Sequence, residues 1–224
     1  ELSRLPKDST ESATLKQFSG RLELRDTAFV FPGSPAPLFE SLSLKIEPGI
    51  TLAVIGPNGS GKTTLARIMA GLIEPNRGQV LVDGVSLSQL SNEWWRRQII
   101  YLPQEAMFFT GTIHDNLLLN NNVISSTGIN RILDQSDLKN HIDTSPKGLK
   151  TLIHQNGQAT PLGIRRRYAI ARSLVTNGLL VVFDEPTAGL GGTGQQAVYQ
   201  LLNQFRENGT TILFFSHDYN LLTR

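Results

Sequence analysis

The sequence predicts an α/β fold in three parts: a core built on a parallel sheet, an antiparallel β subdomain, and an inserted helical subdomain. Three observations carry this. Apolar runs at residues 50–55, 179–183 and 211–215 have strand length and almost no polar face, as in strands buried between layers. Strict alternation, clearest in Leu42-Ser43-Leu44-Lys45-Ile46, marks a half-buried strand of an antiparallel layer. From about Thr110 to Asn177 the apolar spacing lengthens to the helical period.

Taken in chain order, residues 1–20 are rich in Lys, Asp, Ser and Thr and read as a linker rather than a folded element. Their abrupt start leads to the expectation that another domain precedes them. Residues 21–25 alternate, residues 27–31 add a second short β run, and Pro32-Gly33-Ser34-Pro35 turns the chain. Glu47-Pro48-Gly49 is a tight turn into the buried strand at 50–55, and residues 64–70 read as a helix. Residues 79–82 form a strand that ends in the turn pair Asp83-Gly84. Helices are expected over 112–119, 128–135 and 162–176, which places the inserted subdomain at about 105–177. A strand at 179–183, a helix at 194–208 and a strand at 211–215 complete the core.

Composition narrows the class without naming a function. The 224 residues suit one domain or two closely packed lobes, and 39% hydrophobic residues suffice for a real core. A net charge of +2, from 21 basic and 19 acidic residues, leaves no electrostatic footprint for nucleic acid. Arg165-Arg166-Arg167 is the sole basic cluster and reads as a helix face rather than a binding patch. The absence of cysteine excludes disulfides and thiolate metal sites, and the four histidines lack metal-site spacing. No apolar run approaches the length of a membrane span, and no signal peptide is visible.

The chemistry begins at Gly56-Pro57-Asn58-Gly59-Ser60-Gly61-Lys62-Thr63, which fits GxxxxGK[ST] between a predicted strand and a predicted helix. In such a loop, backbone N–H groups wrap the phosphates of a nucleoside triphosphate, and the helix N-terminus points at the anion. The glycines permit a sharp turn and close approach of the backbone. Lys62 would reach the β- and γ-phosphates, the Thr63 hydroxyl would sit on Mg²⁺, and Thr64 closes the set expected to bind nucleotide. A second site follows from Leu180-Val181-Val182-Phe183-Asp184-Glu185, in which apolar residues deliver two carboxylates to the end of a buried strand. Asp184 would bind Mg²⁺ through its water shell. Glu185 would orient and polarise the water that attacks the γ-phosphate.

These segments, with others in the same order, resemble the ATP-binding cassette family over essentially residue 21 to the C-terminus. The resemblance implies a P-loop NTPase core, ATP and Mg²⁺ as cofactors, and transport-coupled ATP hydrolysis. Phe31, before Pro32, matches the aromatic residue that stacks on adenine, with Phe29 as its competitor. Gln104, in Tyr101-Leu102-Pro103-Gln104-Glu105, matches the glutamine that contacts Mg²⁺ and the attacking water while sensing the membrane partner. His217, in Phe215-Ser216-His217-Asp218, matches the switch histidine that bonds the γ-phosphate. The segments Phe109-Thr110-Gly111-Thr112-Ile113-His114-Asp115-Asn116-Leu117 and Gly148-Leu149-Lys150-Thr151-Leu152-Ile153-His154-Gln155-Asn156-Gly157 look like those of exporter cassettes rather than importer ATPases. There Gln155 replaces a glutamate common in the loop that touches the transmembrane domains. In exporters of this kind the cassette follows a membrane domain on the same chain, at the cytoplasmic face of the cell (inner) membrane. Family members also continue well beyond their switch histidine, so a truncated C-terminus is expected.

Two motifs depart from the family pattern. Where relatives have Leu-Ser-Gly-Gly-Gln, the signature that clamps a partner's γ-phosphate, this chain has Thr160-Pro161-Leu162-Gly163-Ile164. Proline there offers neither hydroxyl nor N–H, Leu162 is bulky where glycine allows close approach, and Ile164 lacks an amide. Thr160 is expected to cap the following helix, with Pro161 as its first residue. The D-loop reads Ala188-Gly189-Leu190-Gly191 where relatives have Ser-Ala-Leu-Asp. The residues acting on the chain's own ATP are thus intact, while those offered to a neighbour are degraded. The expected partners are a transmembrane domain and a second, non-identical cassette, and no nucleic acid. Two other readings are a regulatory cassette with little hydrolysis, which Glu185 and His217 argue against, and a non-transport ATPase. The latter would show coiled-coil or nucleic-acid surfaces, and the sequence has neither.

Overall fold

The computed structural model describes residues 13–119 and 124–219. The part of the expected linker at residues 1–12, and the chain end at 220–224, lie outside the described residues. The chain divides into two compact units.

The first unit comprises Glu1–Tyr101, Asn177–Glu185 and Phe205–Arg224. Its antiparallel sheet has the order β2-β1-β4-β5, from β1 (Leu22–Phe29), β2 (Phe39–Ile46), β4 (Arg77–Val82) and β5 (Val85–Ser86). Residues 21–25 and 27–31, read separately from the sequence, are one strand broken by irregular register after Leu24, with Asp26 at φ 45°. The β4–β5 hairpin turns through Asp83 and Gly84, both at positive φ, as a two-residue turn of this hand requires. Its parallel sheet has the order β3-β10-β9-β6, from β3 (Thr51–Ile55), β10 (Thr211–Ser216), β9 (Leu180–Asp184) and β6 (Ile99–Leu102). β9 and β10 are buried at every residue, which explains their unbroken apolar runs. Helix α1 (Lys62–Met69) packs on β9 and β10.

Two features of this unit escape the sequence reading. Residues 13–20 are not structureless. Ala13 forms a parallel bridge with Leu90, Ser19 donates its N–H to the Asp83 carboxylate at 2.7 Å, and Phe18 is buried. Phe18 stacks edge-on against Trp95, with ring centroids 5.5 Å apart. Trp95 lies on α2 (Asn92–Gln98), a helix that composition did not reveal, and its indole N–H donates to Ala70 O at 3.1 Å. A linker-like composition therefore conceals one aromatic anchor, which acts with the bonds of Ala13 and Ser19 to tie the stretch down.

The second unit comprises Leu102–Thr176 and Pro186–Gln204. It is mainly helical: α3 (Ile113–Leu118), α4 (Ser126–Gln135), α5 (Lys139–Thr144), α6 (Leu162–Ser173) and most of α7 (Gly192–Glu207), with a short ribbon of β7 (Gly111–Thr112) and β8 (Leu152–Ile153). α3 opens with a capping box in which Thr112 and Asp115 each accept the other's backbone N–H. Hydrogen bonding from Thr112, by its side chain first and its backbone N–H second, holds the Asp115 carboxyl below its ordinary range. The expected inserted segment at about 105–177 omits α7, which the sequence reading assigned to the core. Within this unit α7 is tied by Arg167 to Thr193 at 3.2 Å and by Gln135 to Gln204 at 2.8 Å.

Candidate functional site

β3 is followed directly by the glycine-rich loop. Gly56 is buried, and its N–H donates to Ser216 O at the end of β10, at 3.2 Å. Pro57, Asn58, Gly59 and Ser60 are exposed, and Ser60 N–H closes a turn onto Pro57 O at 3.3 Å. Gly61 stands at φ 92° immediately before α1, and no side chain caps that helix. A helix start without a capping side chain or an acid in its first turn leaves its N–H groups and positive dipole end available to an anion. Thr63 is half-buried and Thr64 buried in the same first turn.

Lys62 is 8% exposed, and its ammonium donates to Gly56 O at 2.8 Å and Pro57 O at 2.9 Å. Its contact with Glu185 Oε1, at 3.8 Å, is an ion pair too long to be a hydrogen bond. Glu185 follows Asp184, the fully buried last residue of β9. The chain leaves the strand through a left-handed turn at Glu185, φ 50°, held by donation of Glu185 N–H to Phe215 O at 2.8 Å. The Glu185 carboxylate, 4% exposed, meets His217 Nδ1 at 2.9 Å and accepts from Ser216 Oγ at 3.1 Å. Lys62, Glu185 and His217, drawn from three separate stretches of sequence, therefore meet in the first unit.

The donors expected for Mg²⁺ include the Thr63 hydroxyl and the Asp184 carboxylate. Both are hard oxygen donors, which suits the ion's preference. Among the described residues no three His, Asp or Glu side chains cluster as a self-sufficient metal site. An ion here would rely on phosphate oxygens for much of its coordination, as Mg²⁺ commonly does beside a nucleotide. Phe31 is 49% exposed and packs its edge on buried Phe29 with centroids 5.1 Å apart. Of the two competitors, Phe31 is the one that presents a ring to solvent.

Gln104 belongs to the second unit. Its carbonyl accepts from Arg166 Nη1 at 2.9 Å, and Arg166 also bonds Pro103 O. Gln104 lines a cavity of that unit with Met107, Asn156, Leu162 and Arg165. Buried Arg166 was missed as a positioning residue. The available signal was its phase, since Arg166, Ala169, Ile170 and Ser173 form one buried stripe of α6. Arg167 pairs with Asp137 at 2.8 Å, so the basic cluster works mostly inside its own unit. Thr160 does not cap α6. Pro161 occupies the cap position, with no side-chain bond, and its carbonyl accepts from Arg165 N–H at 3.0 Å. Fixed φ lets proline stand one place earlier than expected because its ψ of 141° is extended. Leu162 and Gly189 lie close together: a Cβ built on Gly189, φ 73°, would lie 3.1 Å from the Leu162 side chain.

A strand, a glycine-rich loop and a helix on a parallel sheet define a P-loop α/β core. A family model described as ABC transporter matches residues 39–188, and the chain belongs to that family. It is 33% identical over 203 residues to ABC transporter B family member 13 of Arabidopsis thaliana, covering 91% of this chain and 16% of that protein. It is 32% identical over 199 residues to the ATP-dependent lipid A-core flippase of Aromatoleum aromaticum, covering 88% of this chain and 33% of the relative. It is also 32% identical over 200 residues to antigen peptide transporter 2 of Mus musculus, covering 88% and 28%. The chain thus spans at most about a third of these relatives. The solved structure of a bacterial Atm1-family ABC exporter with ATP bound shares the fold, with TM-score 0.89, 22% identity, and coverage of 98% of this chain and 38% of that one. Among the described residues no helix is long and apolar enough to cross a membrane.

Proposed function

We propose that this chain is the ATP-binding and ATP-hydrolysing cassette of an exporter. It would act at the cytoplasmic face of the cell (inner) membrane, with a transmembrane domain on the same full-length chain and a non-identical second cassette. The observation that best supports hydrolysis is the meeting of Lys62, Glu185 and His217 beside the loop. The names of relatives support export.

In this reading the N–H groups from Gly56 to Thr64 cradle the phosphates, and Phe31 stacks on the base. Lys62 exchanges the carbonyls of Gly56 and Pro57 for phosphate oxygens. Thr63 and Asp184 would hold Mg²⁺, which would neutralise charge on the phosphates, and Gln104 is assigned to the ion by the family resemblance alone. Glu185 orients the attacking water and takes its proton, and His217 donates to the γ-phosphate. Water oxygen bonds to phosphorus as the bond to ADP breaks, giving phosphate. The neighbour's γ-phosphate would receive little from Thr160, Pro161, Leu162, Gly163 and Ile164, so a complete signature must come from a different subunit.

The test compares ATP hydrolysis by this chain alone and mixed with cassettes encoded beside it. Mixing is expected to stimulate hydrolysis, and Glu185→Gln to reduce the stimulated rate by about 100-fold or more while Mg-ATP still binds. Unchanged activity in Glu185→Gln removes the role given to Glu185. Full activity from identical copies removes the non-identical partner.

A further inference from the structure

Ser216 ends β10 and is fully buried. Its polar atoms tie together three segments of the first unit. Its carbonyl accepts the N–H of Gly56, the first residue of the loop, at 3.2 Å. Its hydroxyl oxygen accepts the N–H of Asp218 at 3.0 Å and lies 3.1 Å from Glu185 Oε2. A serine hydroxyl has one hydrogen, and a carboxylate oxygen only accepts. With the Asp218 N–H on a lone pair of Oγ, that hydrogen goes to Oε2, so the direction of each bond is determined.

His217 Nδ1 also lies 2.9 Å from Glu185 Oε2, but the two neighbours differ in kind. The His217 side chain is half exposed, whereas Ser216 is fully buried and paired with Ile55 of β3, one residue past the last β9 pair at Phe215. We propose that Ser216 is a positioning residue for Glu185: its hydroxyl fixes the carboxylate's rotation and keeps it aimed when His217 turns to another partner. This rests on the reading of Glu185 as the base. A carboxylate buried to this degree rotates away or recruits another donor once its fixed donor is removed, and a misaimed base acts slowly.

The test measures kcat, KM and Mg-ATP affinity for Ser216→Ala and Ser216→Thr in the hydrolysing assembly that contains the full chain, each with and without Glu185→Gln. Ser216→Ala is expected to lower kcat about tenfold with KM within about twofold, and Ser216→Thr, which keeps the hydroxyl, to restore most of it. In the Glu185→Gln background Ser216→Ala is expected to change the residual rate by less than about twofold, because its effect runs through the carboxylate. Equal losses in both backgrounds, or a loss that Thr does not restore, would assign Ser216 to holding the Asp218 turn and overturn the proposal. An unchanged kcat in Ser216→Ala beside an inactive Glu185→Gln defeats the Ser216 proposal alone. A fully active Glu185→Gln defeats the base assignment, and the Ser216 proposal with it. If Ser216→Ala does not fold, near-isosteric Ser216→Cys carries the same comparison with a weaker donor.

Discussion

Gly61 shows how much of the loop rests on one backbone angle. At φ 92° an L-residue is strained, and a Cβ there would stand 2.9 Å from Leu38 Cδ2. Gly61→Ala is expected to destabilise the first unit by about 1–2 kcal/mol, read by urea denaturation. It should also weaken Mg-ATP binding by about tenfold or more, read by nucleotide titration, because the N–H groups of the cradle move with it. The motif spacing singles out Gly61 and Lys62 for a phosphate and Thr63 for Mg²⁺. The Glu185 carboxylate was legible as a strand-end acid. Its contacts were not. A positive φ at glutamate is set by what surrounds the β9 exit, and no local preference of the residue announces it. The bond from Ser216 was equally hidden, because a serine before a histidine has many bland readings.

Elements with a clean period were readable and those without one were not. β3, β9, β10 and α1 came from apolar runs and flanking turn residues, and α6 from its alanine-rich stretch. α2, with sequence NEWWRRQ, is too short and too aromatic for a period to show, and its N-cap Ser91 was the remaining clue. α6 starts at Leu162, where the pattern put it, but its cap is Pro161 rather than Thr160, because proline serves a cap position as well as a first-turn one. The closeness of Leu162 to Gly189 couples the segments at 160–164 and 188–191. Gly189→Ala is expected to cost about 1–2 kcal/mol, from its left-handed φ and the crowding by Leu162. Adding Leu162→Ser should recover only the crowding share, so the two changes will be non-additive in a thermal-denaturation double-mutant cycle. Strict additivity would show that the motifs are independent.

Over the whole molecule, the first unit's core reaches further toward the N-terminus than composition suggests. Phe18 lies in the same apolar cluster as Leu22, Leu24, Ile68 and Trp95. Phe18→Ala is expected to destabilise the chain by about 3 kcal/mol, measured by urea denaturation, whereas a true linker residue would cost nothing measurable. A single phenylalanine among lysines and serines has no period, so only its burial reveals its weight. The sequence by itself determined the class of fold, the loop and the identities of the charged residues, because these follow from local patterns: strand length, glycine spacing, an acid after an apolar run. Tertiary structure alone decided that Lys62, Glu185, Ser216 and His217 meet, that Arg166 turns inward, and that Leu162 lies against Gly189. Those contacts join residues far apart in the chain, and their distances depend on how the strands are ordered and how the chain leaves each one.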